Sequence, residues 1–264
     1  MLTFLILGAL EIHTRSGGME VSGDLQRTLL QTLLVNEGQT ISGESLVNEM
    51  WGEALPDNEI NALQAHISRL RRKLKQLEPE RKGSRVTMRP SGYRIALQEG
   101  ELDASEFVKA VRQAELLAVK DPTATAVLLG DALALWRGPV FGNFTGGAIC
   151  QLACARYEEY RMRAMELRFE AELTLGRHAA LLAELQETHN THPLRERFCE
   201  QLMIALYRSG RQADALHVYR LMRRRLSEEL GIDPSPSLRE IEHLVLSHAP
   251  ELSRGLPTTL QLVP

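Results

Sequence analysis

Arginine and lysine crowd one stretch of this 264-residue chain. Residues 66–97 hold Arg69, Arg71, Arg72, Lys73, Lys75, Arg81, Lys82, Arg85, Arg89 and Arg94 against only Glu78 and Glu80, a local charge of +8. The formal charge of the whole chain is −3, so the remainder carries −11. Cations gathered in this way neutralise phosphates, and a guanidinium fork also matches the acceptor edge of guanine. A basic segment within an acidic chain is a localised footprint for nucleic acid. The acidic remainder disfavours nonspecific wrapping of DNA around the molecule.

Other reactive side chains form no such constellation. Cys150 and Cys154 share a helix face, but no histidine lies near them in sequence, and with Cys199 they make an odd set suited to a reduced cytosolic core. His189 and His192 flank an inter-helix loop with no nucleophile or third ligand nearby, which reads as surface histidine. The chain contains no GxSxG or HExxH motif, and no GxxxxGKS/T phosphate loop. Catalysis, a metal, a cofactor and ATP hydrolysis are therefore not expected.

The elements that must position the arginines follow from hydrophobic period. The opening LTFLILGALEI reads as a buried strand, a turn at Gly8 and the start of a second strand, rather than an export signal. Ser16-Gly17-Gly18 reads as a hairpin turn, with the sheet continuing over 19–21. Asp24 opens a first helix through Leu25, Leu29, Leu30, Leu33 and Leu34. Ser42 caps a second, whose apolar face is Leu46, Val47, Met50 and Trp51. Asp57 is the expected cap of a third, with Ile60, Leu63, Ile67, Leu70, Leu74 and Leu77 as its stripe. That stripe turns Asn61, Ala65, Ser68, Arg69, Arg72 and Gln76 outward. Small residues permit close approach to a major groove, and arginine reaches base edges or phosphates. Taken alone, the same pattern also describes a solvated amphipathic helix. The next segment decides between them. Residues 86–89, Pro90-Ser91-Gly92 and residues 93–97 read as strand, turn and strand, with Arg89 and Arg94 flanking the turn and Tyr93 at its base. Helix, helix, basic helix and basic hairpin is the order of a winged helix-turn-helix.

Beyond residue 98 the pattern is almost wholly helical. Asp103 opens a run through Leu117, and Asp121-Pro122 restarts a helix with a core face of Val127, Leu128, Leu133 and Leu135. A long helix is expected to start after Gly147 and run to Leu175, then helices over 178–188, 194–209 and 212–229. Ala205-Leu206-Tyr207, Gly210, Ala215-Leu216 and Tyr219 alternate small and large residues as tetratricopeptide-like pairs do. Such stacks present grooves to partners; a purely structural dimerisation bundle is the competing reading. Arg223-Arg224-Arg225 reads as a solvated helix end, and residues 251–264 as a flexible tail. No apolar run approaches the roughly 18–20 residues that span a bilayer, so a cytoplasmic protein without membrane contact is expected.

Residues 1–97 resemble the winged-helix effector domain of the OmpR type, in LVNEMWG, NALQAHISRLRRKL and RPSGYRI. Residues 98–250 resemble the bacterial transcriptional activation domain that follows it in Streptomyces antibiotic regulatory proteins, in ELDASEFVKAVRQA, DALALWRGPVFGNF and RSGRQADALHVYRLMRRRLSEELGIDPSPSLREIE. His66 departs from the pattern, standing where relatives often carry tyrosine. The resemblance implies two domains, an α+β winged helix followed by an all-α tetratricopeptide-like bundle. It also implies a pathway-level activator that binds double-stranded DNA at promoter direct repeats, self-associates there and helps recruit RNA polymerase holoenzyme. Arg69 and Arg72 are the expected base-edge or phosphate contacts, Arg89 and Arg94 the wing contacts, and Asn61 and Ser68 further groove residues. A helical protein-interaction adaptor with weak DNA binding, or a repressor using the same winged helix, are the alternatives.

Overall fold

The opening strands form a three-stranded antiparallel meander in the computed structural model, which describes residues 2–14, 17–144, 146–250 and 252. Its strands are β1 (Thr3–Leu5), β2 (Glu11–Thr14) and β3 (Gly17–Glu20), with Phe4 opposite Ile12 and Ile12 opposite Met19. Gly17 and Gly18 therefore belong to β3 rather than to the turn, and Ser16 lies outside the described residues. Phe4 and Ile12 share one face of the pleat and are fully buried.

Helix α1 (Asp24–Val35) and helix α2 (Gly43–Trp51) follow. The Ser42 hydroxyl accepts from the Ser45 amide at 3.0 Å, the cap expected from sequence. Helix α3 (Glu59–Leu77) is capped differently: Asn58, not Asp57, accepts from the Asn61 amide at 3.0 Å. Asx side chains cap by reaching the third amide onward, and here the first helical residue is Glu59. Ile60 also leaves the expected stripe. It is 63% exposed, in the first turn of α3. Leu63, Ile67, Leu70 and Leu74 remain buried.

Strands β4 (Val86–Arg89) and β5 (Gly92–Ile95) form a hairpin turning through Pro90 and Ser91. Tyr93 exchanges both backbone hydrogen bonds with Ile41, at 2.8 and 2.9 Å, so the α1–α2 connection supplies a third partner to the wing. Gly92, at φ +137°, is fixed by that pairing. A Cβ there would sit 1.9 Å from the Ile41 carbonyl oxygen. Gly92→Ala is expected to destabilise the fold by about 2–3 kcal/mol, since the backbone must give rather than a side chain. A urea unfolding curve checks this, and a midpoint matching the parent would exclude the close approach.

Two compact units divide the chain, one comprising 1–111 with 131–162 and the other 112–130 with 163–264. The first unit thus holds residues from both sides of the compositional change near residue 98. The division falls within α4 (Asp103–Leu117), α5 (Pro122–Leu133) and α6 (Ala148–Thr174). In the first unit, the Asp103 carboxylate accepts from the amides of Ile6, Leu7 and Ala104 at 2.8–3.1 Å. Burial pushes this carboxyl above its ordinary range, against the pull of those amides and of Arg137. Farther along, the Arg137 amide donates to Leu7 and the Phe141 amide to Ile6. Glu49 of α2 caps α6, its two oxygens accepting from the amides of Ile149 and Cys150 at 2.9 Å. A carboxylate on free amides at a helix N-terminus is doubly favoured. Glu49→Ala is expected to cost about 1.5–3 kcal/mol, read as a lower melting temperature; Glu49→Gln keeps one acceptor and should lose less.

In the second unit, α7 (His178–Thr191), α8 (Glu196–Arg208) and α9 (Gln212–Arg225) pack in sequence. Ala205 and Ala215 are fully buried where α8 meets α9, and Tyr219 fills the next layer. A π-helical turn, Leu226–Leu230, replaces the end of the last expected helix, and α10 (Pro236–Leu246), which the periodic reading passed over, packs on α8 and α9. Ser235 caps α10 with Pro236 inside its first turn, so the start signal was legible. The expected α5 face is displaced: Ala126, Leu129 and Ala132 are buried, whereas Val127 and Leu135 are exposed and Leu128 and Leu133 half-buried. His189 is a core residue, not a surface one, and burial lowers its basicity. Cys199 in this unit and Cys150 in the first are core residues whose thiols burial pushes far up. Apart from Leu252, the expected 251–264 tail lies outside the described residues.

Candidate nucleic-acid interface

The outward side of α3 is set by its buried side. At about 100° per residue, Asn61, Ala65, Ser68, Arg69, Arg72 and Gln76 span an arc of about 100°, diametrically opposite the buried Leu63, Ile67, Leu70 and Leu74. Among these six, Asn61, Ser68, Arg69 and Arg72 are the expected contacts, and all four are exposed. The Ser68 hydroxyl donates back to the Gln64 carbonyl at 2.8 Å, so it presents its lone pairs outward. Asn61 uses its backbone amide for the cap and keeps its side-chain amide out of that bond.

His66 is a positioning residue for this helix. Its Nδ1 accepts from the Gln26 side-chain amide of α1 at 2.8 Å, which leaves the proton on Nε2. Its ring meets Trp51 of α2 edge-on, with centroids 5.7 Å apart. Burial, then the Arg69 charge, hold it below the usual imidazole range, so it is neutral near pH 7. The imidazole thus fastens α3 to both preceding helices.

Ten cations in 66–97 do not all face the same way. Arg85 is 3% exposed. Its Nη1 and Nη2 donate to both oxygens of Glu101 at 2.6 Å, and Nη2 donates to Glu78 at 2.7 Å, with Nε on the second Glu78 oxygen. Nη1 also reaches the Ala96 carbonyl at 2.8 Å. Burial by itself would weaken the proton's hold, but the hydrogen bonds and charges of Glu101 and Glu78 keep the guanidinium above its ordinary value. Those bonds hold Glu78 below the usual carboxylate range. Arg85 is therefore a structural knot joining the end of α3, the wing and residue 101. Setting aside the Arg85–Glu78 pair leaves nine cations against Glu80, still +8. Arg71 is also partly committed, its Nε donating to the Val86 carbonyl at 2.8 Å. Arg71, Arg72, Lys75 and Arg81 line a cavity of about 340 Å³ beside the C-terminal half of α3.

The wing brings Arg89 and Arg94 together on one hairpin but not equally. Arg89 is exposed at the turn, whereas Arg94 is half-buried, with its Nε enclosed and without a partner among the described residues. Tyr93 is buried at the wing base. Met88, beside Arg89, is 67% exposed, a surface methionine that charge patterning could not single out. The strand alternation marks it, because Val86 and Met88 fall on one face while only Val86 reaches the core.

Comparison with known proteins agrees with this arrangement. Residues 23–95 match the family described as "Transcriptional regulatory protein, C terminal", and residues 102–246 match "Bacterial transcriptional activator domain". The chain is 41% identical to transcriptional regulator RedD of Streptomyces coelicolor, over 94% of this chain and 71% of that protein. It is 30% identical to regulatory protein DnrI of Streptomyces peucetius, over 96% and 94%. Against regulatory protein AfsR of Streptomyces griseus the identity is 35%, but the chain spans only a quarter of that protein. The solved structure of Mycobacterium tuberculosis EmbR in complex with a low affinity phosphopeptide superposes with a TM-score of 0.84 at 29% identity, over 94% of this chain and 65% of that one. The matched models describe transcriptional regulators, not enzymes. A basic, outward-facing helix and wing followed by this helical domain, shared along nearly the whole chain with RedD and DnrI, place the protein in the Streptomyces antibiotic regulatory protein family of DNA-binding transcriptional activators.

Proposed function

We propose that the protein switches on a secondary-metabolite gene cluster by binding same-orientation repeats beside its promoter. Residues 1–97 provide the DNA-binding part and residues 98–250 the activating part. The observation that carries the DNA reading is the α3 arc, in which Asn61, Ser68, Arg69 and Arg72 are exposed directly opposite the buried stripe. Arg69 and Arg72 reach base edges or adjacent phosphates, Asn61 and Ser68 approach the groove floor, and Arg89 and Arg94 touch backbone through the wing. The acidic remainder stays clear of phosphate and is free to contact RNA polymerase holoenzyme. Among the described residues no helix is long and apolar enough to cross a membrane, and we place the protein in the cytoplasm. Footprinting on the promoters beside its gene, followed by in-vitro transcription, tests the assignment; protection with reduced output would make it a repressor instead.

Two copies are proposed to occupy adjacent repeats head to tail, associating only when DNA concentrates them. Centres about one helical turn apart, some 34–36 Å, lie on the same DNA face. Inserting half a turn between repeats is expected to abolish cooperative binding, by about 10-fold or more in the second-site affinity, while single-site binding is kept. Gel shifts on the paired and spaced sites measure it. Undiminished cooperativity, or inverted half-sites in the footprint, would reject the arrangement.

A further inference from the structure

Of the six residues on the outward arc of α3, Ala65 alone has a wholly apolar side chain. It is exposed and stands near the middle of the arc. Asn61 lies one turn before it, Ser68 and Arg69 one turn after, and all three are exposed as well. A lone methyl among larger polar side chains forms a shallow apolar floor, and it lets the helix backbone approach a groove most closely there.

Its neighbours on the helix do different chemistry. Ile60, although 63% exposed, lies about 140° around the axis from Ala65. Ser68 spends its proton on the Gln64 carbonyl at 2.8 Å and keeps acceptor lone pairs, while Arg69 and Arg72 carry donors, so hydrogen-bonding base edges suit all three. In the major groove adenine, guanine and cytosine present donors and acceptors, whereas thymine adds an apolar group, its C5 methyl. An alanine methyl matches that group and matches no hydrogen-bonding edge.

We propose that Ala65 reads the C5 methyl of one thymine per bound copy of the protein, packed between the contacts of Asn61 and Arg69. The inference rests on the DNA reading given above and names a base that it leaves open. One methyl contact adds little affinity and acts on specificity. Cytosine at that position would lack the methyl and would bring an amino donor for which Ala65 has no acceptor.

An operator selected from random duplex DNA by the full chain supplies the test, with each thymine replaced in turn by deoxyuridine, which removes only the methyl. Fluorescence anisotropy should find one thymine per bound copy at which the replacement weakens binding about fourfold, the effect of taking one methyl out of an apolar contact. In Ala65→Gly that ratio should fall to near one, while the ratios at other thymines stay as in the parent. Ratios taken within a variant cancel the helix stability that glycine loses, and any effect of demethylation on the duplex itself persists in the variant. Should Ala65→Gly fail to fold, Ala65→Ser, which sets a hydroxyl against the methyl, should lower the same ratio. Thymines all insensitive to replacement, or a sensitive one whose ratio is untouched in a folded variant, would overturn the proposal and leave the DNA reading standing. A chain that selects no sequence at all would overturn both.

Discussion

Arg85→Ala is expected to lower the stability of the fold by about 3–5 kcal/mol, because it strands the buried charge of Glu101 and frees Glu78 from its partner. Glu101 is as buried as Arg85 itself, at 1% side-chain exposure for each. With the guanidinium gone, the Glu101 carboxylate keeps, among the described residues, the Gln98 amide, which donates to it at 2.8 Å. Domains of this size are stable by only about 5–15 kcal/mol, so a substantial unfolded population should appear in mild urea. The same argument predicts rescue. Replacing all three charges, as R85M/E78Q/E101Q, removes the stranded carboxylates and should recover most of the loss. Equilibrium unfolding of the single and triple variants measures both. A single variant within about 1 kcal/mol of the parent would show that solvent reaches these groups and that the knot is not buried.

Substituting Arg69, Arg72, Arg89 and Arg94 together with alanine is expected to weaken operator binding by about 100-fold or more at moderate salt. It should also flatten the dependence of log K on log salt by up to about 0.9 per lost phosphate contact. The two halves should behave differently. Removing Arg69 and Arg72 should relax base preference, by about 1–3 kcal/mol for each bidentate pair lost. Removing Arg89 and Arg94 should weaken all sequences alike, because wing contacts read backbone. Arg94 is half-buried, so Arg89→Ala is the cleaner probe of the wing. Fluorescence anisotropy against salt, with circular dichroism confirming the fold, measures these effects. An unchanged salt slope in a folded quadruple variant would falsify the assignment of these four residues.

Much of this design is legible in one dimension because it is local. The outward arc of α3 follows from a 3.6-residue period whose apolar members lie within a few turns of one another. The Ser42 cap and the hairpin at Pro90-Ser91 likewise depend on neighbours three or four residues away. Helix α5 shows where locality fails: its alanines, leucines and valine surround the axis, so sequence alone gave the wrong buried face. Ile60 fits the stripe in period yet is exposed in the first turn of α3.

What the tertiary structure decided is partnership between distant, chemically equivalent residues. Arg85, Arg89 and Arg94 are alike as residue types, and nothing near them distinguishes the inward one. Arg85 turns in because the fold delivers Glu78 from the end of α3 and Glu101 from beyond the wing to the same point. In the same way, Glu49 becomes a cap only when the amides of Ile149 and Cys150 arrive about a hundred residues later. Asp103 holds the opening strands only once Ile6 and Leu7 stand over it. Sequence therefore determined the basic footprint, the helix that presents it and the domain pairing, since charge and hydrophobic period are properties of a segment. Which charges are spent inside, and how residues beyond 98 are stitched onto the winged helix, are properties of a pair, and the pair exists only after the chain has folded.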